Sequence, residues 1–507
     1  MSLKNIKIFG INEMRIVLNP QMTFGGVDIS KIKFDLRCRD EIPKMLLGFQ
    51  EIYITKELRD KVFNILEDMI PVKVDKTTGR LGMELWTILV LGSLRLNCNW
   101  DYDKVHDSVN NHKNIRQMIG LGENEKHIKF RIKTIKGNVS LFTVDILNRI
   151  NEEVVKHAQI SFEKKNGTDI KAHCDSFVLK TNVHYPTDIN LLNDAMRKMI
   201  IICHRLCKTN EIEGWRQWRH LIRTIKNSLH HVQNVKRMGG KDKIKKEKEI
   251  KKAHIKYLED CSQIKTRIIE SIELLKTKQS NKTLEILMIP LENFIKDADR
   301  QMEQITRRVL NGEKIPADQK IFSIFERHTE WIVKGKAGVT QELGVKVCVI
   351  RDQNGFILNH MVVENLQDVD VAFSFTSETL KKFPNLKSCS YDKGFYSPDN
   401  IQKLSEILDT VIMPKKGKLN KVESEKEKSA EFTSGRRRHS SVESSISALE
   451  NHGLDICPDK GINGFKRYVA LAILARNIQM MGHQIQKKKL RKLVQEENKA
   501  NKLLQVA

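Results

Sequence analysis

The chain has 507 residues, which is too many for one ordinary hydrophobic core and predicts two to four domains. Its 88 Lys and Arg residues exceed its 63 Asp and Glu residues, so the net charge of +25 indicates either a nucleic-acid partner or a solvated basic surface. Nine cysteines without regular pairing argue against a disulfide framework, and no apolar run reaches the roughly 18 residues of a membrane helix, so we expect a cytoplasmic protein without a membrane partner.

The N-terminal third of the chain is predicted to be mainly helical. Residues 1–75 are interpreted as an N-terminal arm, and residues 76–165 as a helical DNA-binding region. Apolar residues from Gly82 to Ile119 recur at helical spacing, and Asp101 is placed to cap a helix. This pattern predicts a helix-turn-helix with a polar side facing DNA, although a purely structural helix pair is the alternative. The candidate DNA-binding residues here are Lys104, Lys113 and Arg116.

A strand that contains an acidic residue comes next. Lys171–Leu179 has the composition of a strand and includes Asp175, while Asn182–Asp188 is interpreted as extended chain. Apolar neighbours on both sides of Asp175 predict a central strand. An ionised carboxylate in such a place is costly unless a cation or a hydrogen-bond donor balances it.

Residues 193–333 are predicted to form a large helical insertion, because three apolar stripes follow one another at or near helical spacing. The stripes are Leu191, Leu192, Met196 and Ile200; Ile264, Ile268, Ile272 and Leu275; and Leu284, Leu287, Ile289 and Leu291. The basic run Lys236–Lys256 is interpreted as an exposed helix or linker. Cys203, His204 and Cys207 lack a second ligand pair at zinc-finger spacing, so they are interpreted as residues of a helix core.

Aromatic and cationic residues alternate within this insertion, at Gly214–Arg219. Such a combination could stack a distorted base and hold its phosphates. The alternative is that both tryptophans are core residues. The candidate DNA contacts in this segment are Trp215, Arg216, Trp218 and Arg219.

Strands and helices alternate from Val345 onwards. Two strands, Val345–Arg351 and Phe356–Val363, flank an Asn-Gly pair typical of a hairpin turn. The next predicted elements are a helix at Val369–Phe383, a strand at Lys387–Tyr391, a helix at Pro398–Ile407, a strand at Thr410–Met413 and a loop at Lys415–Ser434. A helix opened by Arg436–His439 carries Glu443, Ile462–Met481 form a closing helix, and residues 486–507 are a basic tail predicted to be solvated.

Three acidic residues hold distinctive places on these elements: Asp175 inside the first strand, Asp392 after the fourth, and Glu443 on the helix after the fifth. This order is typical of an RNase H-like α/β fold, a mixed sheet flanked by helices. Three carboxylates suit two Mg²⁺ ions, which stabilise the attacking and leaving oxygens of a phosphoryl transfer. Each acid alone could be a turn or surface residue, and Glu450 is a rival for the third position.

Three blocks of sequence resemble those of bacterial insertion-sequence transposases of the DDE type, over about residues 30–485. Cys174–Phe177 with Asn182–Asp188 resembles the first-Asp block, Tyr391–Ser397 the second-Asp block, and Arg438–Ser444 the glutamate block. Two further segments, Lys334–Gly338 and Gly464–Tyr468, also resemble segments of these transposases in position and residue type. A subgroup with a Tyr-Arg-Glu-Lys signature is disfavoured, because His439 and Glu450 occupy the places of its Arg and Lys.

The resemblance implies that Asp175 bridges two Mg²⁺ ions, for which Mn²⁺ can substitute, and that Asp392 and Glu443 each bind one. It implies a DNA transposase that nicks the ends of a mobile element and joins the freed 3′-hydroxyls to target DNA. We expect a nucleoid-associated bacterial protein that acts on double-stranded DNA as a homodimer or higher oligomer. The remaining candidate DNA contacts are Lys334, Lys336, Lys393, Arg437, Arg438 and His439.

The catalytic domain is predicted to combine residues 166–192 with residues 334–485. The separation of 392 − 175 = 217 residues between the two aspartates is too long for one hairpin and helix, which is why the insertion is placed between them. Two other functions stay open. One is an RNase H-like nuclease or integrase, and the other is a non-catalytic DNA-binding protein derived from a transposase.

Overall fold

Two units are present in the computed structural model, which describes residues 13–19, 26–70, 80–162, 169–239, 242–278, 282–316, 319–333 and 341–506. Val183–Trp331 form one, here called the helical unit. The described residues of Ile6–Asn182 and Ile332–Ala507 form the other, here called the sheet unit. The sheet unit therefore holds the described residues of the predicted arm and DNA-binding region and most of the catalytic segments, whereas residues 183–192 of the first catalytic segment belong to the helical unit.

The N-terminal part of the sheet unit is helical, as the sequence predicts. Strand β1 (Glu13–Met14) pairs in parallel with β2 (Arg80–Leu81). The helices are α1 (Glu41–Ile54), α2 (Lys56–Glu67), α3 (Leu85–Asn97), α4 (Tyr102–Asn111), α5 (Lys113–Met118), α6 (Ile132–Val139) and α7 (Val144–Phe162). The cap predicted at Asp101 is confirmed, because its Oδ1 accepts a hydrogen bond from the Lys104 amide at 2.7 Å.

Four α-helices are found among the described residues of the helical unit, whereas the last part of the predicted helical segment 193–333 is not helical and ends in strand β4 (Glu330–Val333). They are α8 (Asp188–Thr209), α9 (Trp218–Arg237), α10 (Lys243–Lys278) and α11 (Lys282–Ile305). The first two apolar stripes are buried, but the third is wrong at Leu287 and Ile289, which are exposed. The buried face of α11 instead carries Leu284, Met288 and Leu291, because these residues follow the helical repeat.

Seven strands form one mixed sheet in the order β4–β5–β3–β7–β8, with β6 also paired to β5 and β9 also paired to β3. Their bounds are β3 (Ile170–Thr181), β4 (Glu330–Val333), β5 (Gln341–Arg351), β6 (Ile357–Val363), β7 (Leu386–Tyr391), β8 (Thr410–Ile412) and β9 (Ile456–Cys457). Strand β3 is central, antiparallel to β5 and parallel to β7. The predicted central position of the Asp175 strand is thus confirmed, and so is the hairpin between β5 and β6, where Gly355 adopts a positive φ of 97°.

Five helices complete the sheet unit: α12 (Asp368–Lys382), α13 (Pro398–Ile407), α14 (Lys421–Lys428), α15 (Ala430–Leu449) and α16 (Gly461–Val506). The predicted loop Lys415–Ser434 is wrong, because Asn420 caps α14 and Ser429 caps the start of α15. The closing helix is confirmed, but it continues through the predicted tail, where Lys487–Lys489 are exposed. Within the described ranges, no helix is long and apolar enough to cross a membrane.

The first two helices belong to the core rather than to an arm. Helix α1 crosses α16 so closely that a Cβ added at Gly48 would overlap the carbonyl oxygen of Ile478. A Cβ added at Gly482 would overlap the carbonyl oxygen of Lys44 in the same way. Helix α1 therefore packs directly against the closing helix.

Candidate active site

Two neighbouring parallel strands bring the predicted aspartates to the same region of the sheet. Cys174 on β3 is in register with Tyr391 on β7, so Asp175 and Asp392 come next on adjacent strands. Tyr391 is buried, and its hydroxyl lies 2.7 Å from Thr376 Oγ1 on α12. This anchor fixes the end of β7, and Asp392 directly after it is exposed.

Helix α15 carries Glu443 and packs against β3, β7 and β8. The Arg351 guanidinium of β5 donates hydrogen bonds to the Ser441 carbonyl and, at 2.9 Å, to Ser445 Oγ. Val442 is buried beneath the helix, while the next residue, Glu443, is exposed. The side chain of Glu443 is therefore open to solvent, on a helix that is tied to the sheet.

The pKa of Asp175 is influenced by the other two predicted acids. Burial is the main cause that raises the pKa of Asp175 to about 7. The negative charges of Asp392 and Glu443 raise this pKa further. The Ser176 amide acts in the opposite direction by donating a hydrogen bond to Asp175 Oδ1 at 2.7 Å. Asp392 and Glu443 are thus each close enough to Asp175 for their charges to raise its pKa.

The donor chemistry of these acids fits a hard divalent cation. Carboxylate oxygens are the ligands that Mg²⁺ prefers, and a cation would relieve the charge that is costly at Asp175. In the part of the chain that the structure describes, no three His, Cys, Asp or Glu side chains already stand in a metal-binding arrangement.

A fourth acid, Asp368, belongs to the same site and was missed by the sequence analysis. Its Oδ1 accepts a hydrogen bond from Ser176 Oγ at 3.0 Å and lies 3.4 Å from Lys346 Nζ. The backbone at Gly394 is close to this carboxylate, because a Cβ added there would lie 3.2 Å from Asp368 Oδ2. The negative charge of Asp368 also raises the pKa of Asp175. Asp368 occupies the first turn of α12, so in the sequence it looks like an ordinary acid at a helix N-terminus.

Glu450, the alternative candidate for the third acid, has different neighbours. It begins a π-helical turn after α15, and its charge helps to raise the pKa of Lys180 at the far end of β3. Asp455 is the main cause of that shift, through a 2.7 Å contact with Lys180 Nζ. The geometry therefore favours Glu443 as the partner of Asp175.

A hydrogen-bonded chain of three side chains lies beside the acids. Ser390 Oγ is 2.7 Å from His173 Nδ1 and 2.9 Å from His439 Nδ1. Burial lowers the pKa of both imidazoles, that of His173 to about 4. The charges of Asp392 and Glu443 oppose the shift at His439, which places this ring next to the predicted acids.

The other candidate cations of this region differ in whether their side chains already make a hydrogen bond. Lys393 and Arg437 are exposed, whereas Arg438 folds back and donates a hydrogen bond to Ser434 Oγ at 2.9 Å. Lys334 and Lys336 lie outside the described residues. Exposed Lys393 and Arg437 are therefore the better candidates for phosphate contact.

The predicted helix-turn-helix contains one wrong assignment. Lys104 and Lys113 are exposed, as expected for DNA contacts, although each is close to an acid of its own surface. Arg116 is buried instead, and it donates hydrogen bonds to the carbonyls of Glu125 at 2.7 Å and Ile128 at 3.2 Å. Its charge holds the following loop in place and does not face outwards.

The aromatic segment of the helical unit is also partly corrected. Trp215 is buried and donates its indole N–H to Ser271 Oγ at 3.0 Å, so it is a core residue and not a base platform. Trp218 is half-buried and stacks on His204 with ring centroids 5.1 Å apart. Arg216 and Arg219 are exposed. Cys203 and Cys207 are buried, which confirms their interpretation as core residues.

Comparison with known proteins gives no match: neither a protein-family model, nor a curated protein, nor a solved structure is similar to this chain.

Proposed function

We propose that this protein is a DNA transposase whose sheet unit is an RNase H-like DDE catalytic domain. The observation that supports the proposal is that Asp175 on β3 and Asp392 after the end of β7 follow residues in register, while the charge of Glu443 helps to raise the pKa of Asp175. They come from adjacent parallel strands and from a helix packed on those strands. The sequence blocks that resemble insertion-sequence transposases contain the same three residues.

The proposed chemistry divides the work among these acids. When bound, two Mg²⁺ ions would supply Lewis-acid stabilisation of the attacking and leaving oxygens of the phosphodiester. Asp175 would bridge the two sites, and Asp392 and Glu443 would each hold one. Asp368 would hold Ser176 and thereby the conformation of β3 at Asp175, through the 3.0 Å hydrogen bond.

Binding of the DNA substrate is assigned to exposed cations on both units. Lys104 and Lys113 would contact phosphates from the N-terminal helices, and Arg216 and Arg219 from the helical unit. The net charge of +25 supports a polyanionic partner and predicts binding that weakens steeply with salt. We propose that the active form on DNA is a homodimer or a higher oligomer.

Cleavage of the DNA that flanks this reading frame tests the proposal. Purified protein should nick that DNA only with Mg²⁺ or Mn²⁺, and Asp175→Asn, Asp392→Asn and Glu443→Gln should each reduce nicking to background. The matched control is Glu450→Gln, which removes a carboxylate one heptad away and should keep most of the activity. Metal-independent nicking, or near wild-type nicking by Glu443→Gln, would contradict the proposal.

DNA binding measured with the same variants separates the proposed enzyme from a non-catalytic relative. All variants should bind the flanking DNA with nearly wild-type affinity, because the three acids are assigned to metal and none to phosphate. A wild-type protein that binds this DNA with sequence preference but never cuts it would support the non-catalytic alternative.

A further inference from the structure

A cavity of about 280 Å³ opens beside Asp392, between the ends of β7 and β8 and the face of α15. Lys393 and Arg436 contribute cationic side chains to its wall, and His439 contributes an imidazole. Ile412 and Pro414 make an apolar part of the same wall. The cavity thus combines positive charge with an apolar surface next to one of the proposed metal ligands.

The two cations in the wall are available to a ligand. Lys393 and Arg436 are exposed, and in the described part of the chain neither side chain makes a hydrogen bond or an ion pair. Lys415, which follows the lining residue Pro414, differs from these two cations, because its Nζ forms an ion pair with Glu423 at 2.7 Å. Asp392 is the one acid among the lining residues. The wall therefore favours an anion.

His439 adds a directed polar group. Its Nδ1 is held by Ser390 Oγ at 2.9 Å, so the ring is oriented from behind. Its Nε2 has no hydrogen-bond partner among the described residues and remains for a ligand of the cavity. When Ser390 donates its hydroxyl hydrogen to Nδ1, Nε2 carries the ring hydrogen and is a donor to an anionic oxygen. An anion in the cavity selects that arrangement.

The size and the apolar part of the wall restrict the anion further. Cavities for drug-sized ligands have volumes of about 300–1,000 Å³, so 280 Å³ suits a smaller group, such as one phosphate with its attached sugar. Ile412 and Pro414 offer the sugar an apolar contact, which a free inorganic ion would not use. Asp392 is the one proposed metal ligand that lines the cavity, so the cavity adjoins the proposed cleavage site at this residue.

We propose that this cavity binds the backbone phosphate and sugar of one nucleotide adjacent to the scissile phosphate, on the DNA strand that is cut. This inference rests on the proposed function, since it uses the same substrate, but it assigns a separate binding role to Arg436, Lys393 and His439. The cavity would fix the register of the strand, so that a single phosphodiester bond faces the three acids.

Replacement of single phosphates by neutral methylphosphonates tests this assignment. Binding of the flanking DNA is measured in EDTA for the wild type, for Arg436→Ala and for the matched control Arg437→Ala. Arg437 is the next residue, is equally exposed and does not line the cavity, so any phosphate that it contacts is a different one from the phosphate in the cavity. Alanine is a good helix former, so both variants should keep α15 intact.

One methylphosphonate near the cleavage position should weaken binding to the wild type by about tenfold, as expected for the loss of a charge-assisted hydrogen bond. The same methylphosphonate should have little further effect on Arg436→Ala, because the partner side chain is already absent. On Arg437→Ala it should keep its full effect.

Independent effects of Arg436→Ala and of every methylphosphonate would overturn the assignment. Equal loss of the phosphonate effect in Arg437→Ala, or no binding of this DNA by the wild type, would also overturn it. Because binding is measured without metal, the outcome does not depend on catalysis. Failure of the proposed function would appear separately, as phosphate-specific binding without any cleavage when Mg²⁺ is added.

Discussion

Replacement of Asp175 by Asn should stabilise the protein in the absence of divalent metal at alkaline pH. The pKa of Asp175 in the folded chain is about 7, against an ordinary value of 3.8. A raised carboxyl pKa means that the folded state holds the proton more tightly than the unfolded state. The stabilising effect of that proton is complete below pH 3.8 and is lost as the pH rises through 7. Above pH 7 the wild type therefore carries a buried charge that Asn lacks.

The size of the effect follows from the pKa difference. A shift of about 3 pKa units corresponds to an upper limit of about 4 kcal/mol. The side chain is only partly buried and solvent screens it, so about 1–2 kcal/mol is the reasonable expectation. A domain of 150–250 residues gains about 2–4 °C in Tm per kcal/mol, and the sheet unit is larger, so Tm should rise by a few degrees at most.

Scanning calorimetry in EDTA at pH 5.5 and 8.5 measures the difference directly. Asp175→Asn should melt above the wild type at pH 8.5, and the gap should shrink at pH 5.5. Added Mg²⁺ should stabilise the wild type, by about 2.7 kcal/mol at a hundredfold excess over Kd, and leave the variant unchanged. The reasoning is refuted if Asn gives no gain in EDTA at pH 8.5, or if Mg²⁺ raises Tm equally in both proteins.

Three further predictions concern residues whose surroundings differ from their sequence context. Trp215→Ala should lower the free energy of unfolding by about 3–5 kcal/mol in urea titrations, whereas Trp218→Ala, being half-buried, should cost clearly less. Arg116→Ala should lower the free energy of unfolding by about 1–3 kcal/mol, because buried carbonyls lose their hydrogen-bond donor. Lys113→Ala should leave stability unchanged and reduce the slope of log binding constant against log salt concentration by about 1. Gly435→Ala should keep the fold but impair cleavage, because its Cβ would push aside the flexible end of the Ile412 side chain, which lines the cavity beside Asp392.

Elements with strong local signals could be predicted from the sequence. The turn at Asn354-Gly355 fixes the hairpin of β5 and β6, because glycine accepts the positive φ found there. Pro398 opens α13 at the predicted residue, since its ring favours the first helical turn. The first two apolar stripes of the helical unit are buried as predicted, because they follow the repeat of 3.6 residues.

Features that depend on distant partners could not be predicted in this way. The sequence gives no sign that Arg116 is not a surface cation, because its burial depends on the loop whose Ile128 carbonyl accepts its hydrogen bond. The packing of α1 on α16 joins residues far apart in the chain through close contacts at Gly48 and Gly482. Asp368 likewise becomes part of the acidic site only when β3 places Ser176 beside it. Such roles arise from tertiary contacts and leave no local pattern.

Strand transfer by the purified protein tests the central claim most directly. The substrate is flanking DNA already cut to expose its 3′-hydroxyl, mixed with a supercoiled target plasmid and Mg²⁺. The wild type should join the end to the plasmid, and Asp392→Asn should bind the end but form no joined product. Joining by Asp392→Asn at the wild-type rate would contradict the assigned site, and hydrolysis without any joining by the wild type would identify a nuclease instead of a transposase.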